Sequence, residues 1–320
     1  MNSKDNKHKP FVRLFLTGFF MGMADLIPGV SGGTVAFISG IYEELLFSIK
    51  KMSGEVLGLL LKLKFKEALT KAPIRFLIPL LSGIFMSIIL LARLLSYLLE
   101  MYPSFVWSFF FGLVLASTWL VAKRVTLWNM GNFIAFGITA ISAYILVGAV
   151  PVETPENLLM FFFSGMIAII AMILPGISGS FILLLIGKYT QVLDAAKNLQ
   201  IDVLLSVMAG AAIGLSVFSR FLTWLFAKYH NISIAILSGF MLGSVRKLWP
   251  WKETILTRIN SHGEIVPLVE KNILPHSIDA AVLIVITLMA IGIGVIFYID
   301  QLKLVHEEIE DVNDTSINKA

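Results

Sequence analysis

Apolar runs of about 20 residues recur along most of this chain, and that leaves it few ways to fold. Such runs are the signature of membrane-spanning helices. With a mean hydropathy of +0.86 and only 14% charged residues, the chain reads as a polytopic membrane protein and not as a soluble enzyme with an anchor. The net charge of +4 carries no nucleic-acid signal, because the positive residues lie in loops beside apolar segments. There is no cysteine, so disulfides and thiolate chemistry are excluded. No cleavable signal peptide is expected, since the first apolar run lacks a small-residue cleavage site and continues into a broken segment.

That break is DLIPGVSGG, Asp25 to Gly33, and it has a near copy in LPGISGS, Leu174 to Ser180. Around the breaks the chain repeats itself. At an offset of 147, Gly18, Pro28, Gly29, Ser31, Gly32, Gly40 and Tyr42 match Gly165, Pro175, Gly176, Ser178, Gly179, Gly187 and Tyr189. At an offset of 127, Gly83, Arg93, Tyr102, Gly112 and Ser117 match Gly210, Arg220, Tyr229, Gly239 and Ser244. The offset changes because only the first half has a basic connector, residues 50–75, with seven Lys/Arg against Glu55 and Glu67. The connector reads as an amphipathic interfacial helix with Leu57, Leu60, Leu61 and Leu63 on one side.

The expected fold is an all-α polytopic membrane protein of two inverted repeats, each a re-entrant helical hairpin followed by three transmembrane helices. Residues 1–10 are an expected disordered N-terminus. Repeat 1 covers 11–150, with its hairpin at 11–49 and the connector at 50–75. Repeat 2 covers 151–300, with its hairpin at 158–193. An acidic tail, expected to be disordered, covers 301–320. Three full spans per repeat place the second repeat upside down. Lysine and arginine placement supports this with both termini cytoplasmic, except that loop 246–277 falls outside with five Lys/Arg against three Glu.

Non-helical backbone at membrane depth is tolerated where it is buried in protein or lines a wet cavity. After each break a new helix starts, leaving N–H groups around Gly32–Val35 and Gly179–Ile182. Those groups and the helix dipole favour an anion. Ser31, Gly32, Gly33, Thr34, Ser178, Gly179 and Ser180 are therefore candidate phosphate-binding residues. A proline kink with glycine packing is the alternative, but two matched breaks speak against it. Arg93 and Arg220 lie at matched positions inside apolar runs, where a charge costs about 2.5–3.5 kcal/mol on insertion scales. A guanidinium fork suits phosphate, and a packing ion pair is the alternative. Asp25 has Met172 as its counterpart, and it either caps the turn or carries a coupling proton. Glu43 and Glu44 are further proton-coupling candidates, or solvated interface residues. Lys188, opposite Ile41, is an entry-side phosphate contact or an interface lysine. Trp119, Trp128, Trp249 and Trp251 read as interfacial belt residues.

Gly29 to Gly33 also satisfies the G-x-S-x-G pattern of a nucleophile elbow, but no strand precedes it. None of the histidines, His8, His230, His262, His276 and His306, is placed to activate Ser31. No catalytic residue, metal or cofactor is expected.

GMADLIPGVSGGTVAFISGIYEEL together with ILPGISGSFILLLIGKY resembles the bacterial polyprenyl-phosphate translocase family of PopT type, over essentially the whole chain. The resemblance implies a lipid transporter of the bacterial cell membrane that moves undecaprenyl phosphate from the outer to the inner leaflet. This recycles the lipid carrier of peptidoglycan and teichoic-acid synthesis. The implied partners are the polyprenyl phosphate and the bilayer, with homo-oligomerisation left open. Rocking of the inverted halves would expose the head group to each side in turn. A membrane polyprenyl-diphosphate phosphatase and a small-anion transporter are the alternatives.

Overall fold

The computed structural model describes residues 10–27, 30–259, 265–275 and 277–317. Pro28 and Gly29 of the first break, His8, His262 and His276, and the N-terminal lysines lie outside the described residues. Among the described residues, five helices are long and apolar enough to cross a bilayer: α6 (Ile74–Met101), α7 (Pro103–Ala122), α8 (Met130–Val147), α12 (Ile201–Lys228) and the Ala280–Gln301 part of α14 (Ala280–Ile317). The chain is a multi-pass membrane protein of mainly helical structure.

The broken segments form three short pieces each. In the first, α1 (Phe11–Asp25) is followed by α2 (Gly32–Ile38) and α3 (Tyr42–Lys51). In the second, α9 (Leu158–Ile173) is followed by α10 (Gly179–Leu185) and α11 (Tyr189–Lys197). At 1.5 Å per residue, α1 and α9 reach only about 22–24 Å, short of a hydrocarbon core of ~30 Å. α2 packs against α1, and α10 against α9. Both short helices end in the same Schellman turn. Gly40 and Gly187 take φ of +70° and +68°. Ile41 N–H then bonds Ala36 O, and Lys188 N–H bonds Leu183 O. The single residues Tyr102 and Tyr229 make equivalent turns into α7 and into α13 (His230–Ser244), with φ/ψ of −135°/49° and −133°/55°.

Glycine sets the main helix crossings. α1 meets α6 where a Cβ at Gly18 would overlap Leu80 O and one at Gly83 would overlap Phe15 O. α9 meets α12 where Gly165 faces Val207 O and Gly210 faces Phe162 O. All four positions of the first crossing map onto the second at offsets of 147 and 127. Gly112 and Gly292 bring α7 against α14, and Gly239 and Gly243 bring α13 against α8. Small residues are how helices approach closely in lipid, where the hydrophobic effect between helices is absent.

Beside the helices, residues 245–272 form a 3₁₀ turn, Val245–Leu248, and an antiparallel hairpin of β1 (Lys252–Ile259) and β2 (Ile265–Asn272), where the sequence reads as a loop. α14 runs as helix from Ala280 to Ile317. In the connector, α3 runs through a π-turn (Met52–Val56) into α4 (Leu57–Leu61), and α5 (Phe65–Lys71) follows. Leu57, Leu60, Leu61 and Leu63 are exposed there, as an interfacial segment requires.

Candidate functional site

The first break folds around its own polar groups. Ser31 is the N-cap of α2, and its hydroxyl accepts from Gly33 N–H at 3.1 Å. The Asp25 carboxylate accepts from Gly32 N–H at 2.7 Å, and Ser31 O accepts from Thr34 N–H. The first N–H groups of α2 are therefore bound by the chain itself and are not open to a ligand in this conformation. Thr34 is fully buried, and its hydroxyl finds no partner among the described residues.

The break then reaches across to the second repeat. Ser31 Oγ donates to Met172 O at 3.2 Å, and the buried Tyr42 hydroxyl donates to Ile173 O at 3.1 Å. These carbonyls belong to the last turn of α9, which has no further helical N–H to receive. At its other end α2 is capped by Arg124, whose guanidinium donates to Phe37 O and Ile38 O at 3.1 and 3.0 Å. A charge-assisted fork on a helix C-terminus is favourable both as hydrogen bonding and against the dipole. α2 thus has an acid at its positive end and a base at its negative end.

The second break differs. Met172 replaces the acid, and no side chain caps α10 among the described residues. Ser178 Oγ and Ser180 Oγ lie 2.8 Å apart, with Ser178 buried and Ser180 exposed. Gly179 packs against Ala168 O and Met172. At the far end of α10 stands Lys188, which is fully buried and not an interface lysine. Its ammonium donates to Thr154 O at 2.8 Å and lies 5.2 Å from the Phe161 ring centre.

The structure gathers some of the expected residues and not others. Asp25, Ser31, Gly32 and Gly33 converge, and they touch the end of α9. Arg93 is exposed on α6 and makes no hydrogen bond or ion pair among the described residues. Arg220 is also exposed, and its guanidinium lies beside Gly54 of the π-turn. No hydrogen bond or ion pair joins either arginine to the breaks among the described residues. Glu43 Oε1 lies 3.7 Å from His230 Nδ1 with both side chains exposed. Glu44 lines a groove with Arg75 at the starts of α1 and α6.

Residues that the sequence did not single out complete the region. Tyr42 stood only as a repeat match with Tyr189, and Arg124 only among the lysines and arginines counted for topology. A third group sits where the β-hairpin meets the helices. Lys247 Nζ and Lys252 Nζ lie 3.1 and 3.4 Å from the same Glu270 oxygen. Burial pulls Lys252 down to a pKa of about 8, although Glu270 acts the other way. Burial pushes Glu270 up, but the two ammonium groups outweigh it and hold the carboxyl below its ordinary value. Below about pH 8 Lys252 is charged in the folded and unfolded chains alike, and its burial opposes folding. Between about pH 8 and the ordinary lysine value of ~10.4 the unfolded chain binds more protons, so this group's contribution improves as pH rises. The melting temperature of wild type minus that of Lys252→Met is expected to climb over that window in detergent. A flat difference would contradict the assignment.

Residues 21–266 match the family described as undecaprenyl phosphate translocase-like. The polyprenyl-phosphate transporter of Vibrio cholerae serotype O1 is 44% identical over 269 residues, covering 84% of this chain and 87% of that protein. The polyprenyl-phosphate transporter of Staphylococcus aureus is 30% identical over 253 residues, covering 73% and 85%. No solved structure matches this chain. A match over this much of the sequence, with both breaks inside it, means that the chain belongs to the undecaprenyl phosphate translocase-like family.

Proposed function

We propose that this protein carries polyprenyl phosphate across the bacterial cell membrane, from the outer to the inner leaflet, and so returns the lipid carrier for cell-wall synthesis. The observation that carries the reading is the pair of matched breaks. They lie among apolar helices and are linked through Ser31–Met172 and Tyr42–Ile173. The two relatives, each named a polyprenyl-phosphate transporter, support the substrate class.

In this reading the breaks are re-entrant tips of two inverted repeats, 11–150 and 151–300, with both termini cytoplasmic. The mapped glycine crossings and the matched tyrosine turns support a repeat. The phosphate is held at Ser178, Gly179 and Ser180, where the chain supplies hydroxyls and no acid. At Ser31, Gly32, Gly33 and Thr34 it competes with Asp25, whose carboxylate occupies the place of an anion. Protonation of Asp25 would release Gly32 N–H, which makes this residue the coupling candidate ahead of Glu43 and Glu44.

Arg93 and Arg220 each stand eight residues before the end of their helix, about 12 Å inside it. They are proposed to compensate the phosphate as it passes. The moving parts are better drawn as arms than as whole halves. α7 pairs with α14 and α13 with α8, so the two repeats interlock through exchanged helices. The pairs α1–α6 and α9–α12 stay within one repeat each and carry the breaks and the arginines. Headgroup transport in proteoliposomes is the test. Arg93→Ala with Arg220→Ala is expected to slow it at least about tenfold, the low end for losing a hydrogen bond to a charged group. Unchanged transport would remove the arginines from the path, and phosphate release from undecaprenyl diphosphate would favour a phosphatase.

A further inference from the structure

The five Lys/Arg of residues 246–277 were the exception to the charge topology, and the hairpin shows where two of them go. Lys247 and Lys252 share one oxygen of Glu270, and the three side chains are 22%, 8% and 22% exposed. Lys252 Nζ lies 4.2 Å from the ring centre of Trp107 on α7. Lys247 Nζ lies 5.6 Å from the ring centre of Phe181 on α10, the residue after Ser180. Lys252 and Glu270 point to one face of the hairpin, while Glu253 and Lys271 pair on the other. Arg246 is engaged elsewhere, donating to Tyr144 O. The cluster therefore holds two ammonium groups against one carboxylate.

An excess positive charge in a largely buried cluster carries a desolvation cost, and aromatic faces return only part of it. For hairpin anchoring alone, one lysine and one glutamate would be the cheaper pair. Two lysines converging on a single oxygen match a phosphomonoester, which has three oxygens and about −1.5 to −2 charge near neutral pH.

We propose that Lys247 and Lys252 form a receiving site for a phosphate group on the hairpin side of the protein, next to the second break. Glu270 is a resident carboxylate that holds the two lysines in place until phosphate displaces it. In the orientation proposed above, the hairpin faces the outer leaflet, so the site meets the head group before Ser178 and Ser180 do. The inference rests on the polyprenyl phosphate reading and adds the residues that admit the head group.

The test is native mass spectrometry of the detergent-solubilised protein with undecaprenyl phosphate, with undecaprenol as the uncharged control and inorganic phosphate as competitor. Thermal unfolding checks each variant. Lys247→Gln and Lys252→Gln are expected to weaken lipid phosphate binding at least about tenfold. Glu270→Gln keeps the size and a hydrogen-bonding oxygen but removes the competing charge. It is expected to tighten binding about threefold or more, the effect of one nearby like charge. A purely structural cluster predicts that Glu270→Gln weakens binding along with the lysine variants, and that result overturns the site. Wild-type binding in the lysine variants does the same. Inorganic phosphate competing as well as the lipid would reassign the site to free phosphate. Equal binding of undecaprenyl phosphate and undecaprenol by wild type would instead sink the transport reading, and this inference with it.

Discussion

Gly210→Ala is expected to break the arm formed by α9 and α12. A methyl group there would overlap the Phe162 carbonyl oxygen, which is backbone and cannot swing aside. The two helices would have to separate by roughly an ångström along much of their contact, losing dispersion that lipid does not replace. Overpacking of this kind costs typically about 1–3 kcal/mol and sometimes more, so a drop in melting temperature of several degrees is expected. Gly83→Ala, against Phe15 O, should do the same to α1 and α6. The controls have the opposite sign. Gly137 and Gly294 lie inside α8 and α14, with open space where an alanine methyl would stand. Alanine there removes a helix penalty of up to about 1 kcal/mol and should leave stability unchanged or raised. Thermal unfolding of the four single variants decides the matter: equal effects at all four would mean that the crossings do not depend on glycine.

These glycines also show what the sequence carried. Gly18, Gly83, Gly165 and Gly210 were visible as spaced matches, because a close helix crossing admits almost no other residue. The breaks and the spanning runs were visible for the same kind of reason, being local statements about backbone and solvent. Contacts between distant segments were not. Tyr42 and Ile173 are 131 residues apart, and nothing in either residue type names its partner. The hairpin at 252–272 was hidden because its strands mix charged and apolar residues without a buried face on both sides, so the segment reads as a polar loop. The burial of Lys188 was not legible because lysine is rarely fully buried, and its carbonyl partner, Thr154, is 34 residues away. The arginines were found by their depth and their matched repeat positions, neither of which shows what they face.

Asp25 is where two substitutions separate roles that the sequence left equal. Its carboxylate accepts from Gly32 N–H and so closes the start of α2, as a capping oxygen would. Alanine removes that acceptor and leaves the N–H of buried Gly32 unpaired, at a cost of about 1–2 kcal/mol. Asparagine keeps an oxygen in the same place but can never carry the charge or the exchangeable proton. If Asp25 only closes the turn, asparagine should fold and transport like wild type. The coupling proposal expects otherwise. Asp25→Asn should melt within a degree or two of wild type, yet lose at least about tenfold in proton-driven headgroup transport, roughly 1.4 kcal/mol in the rate-limiting step. Asp25→Ala should lose both stability and transport. The converse substitution, Met172→Asp, places an acid at the second break, where the proposed phosphate site has none. It should weaken lipid phosphate binding by like-charge repulsion and leave α10 better capped. Wild-type transport in Asp25→Asn would reduce this residue to a structural cap, and the coupling group would then have to be sought at Glu43 or Glu44.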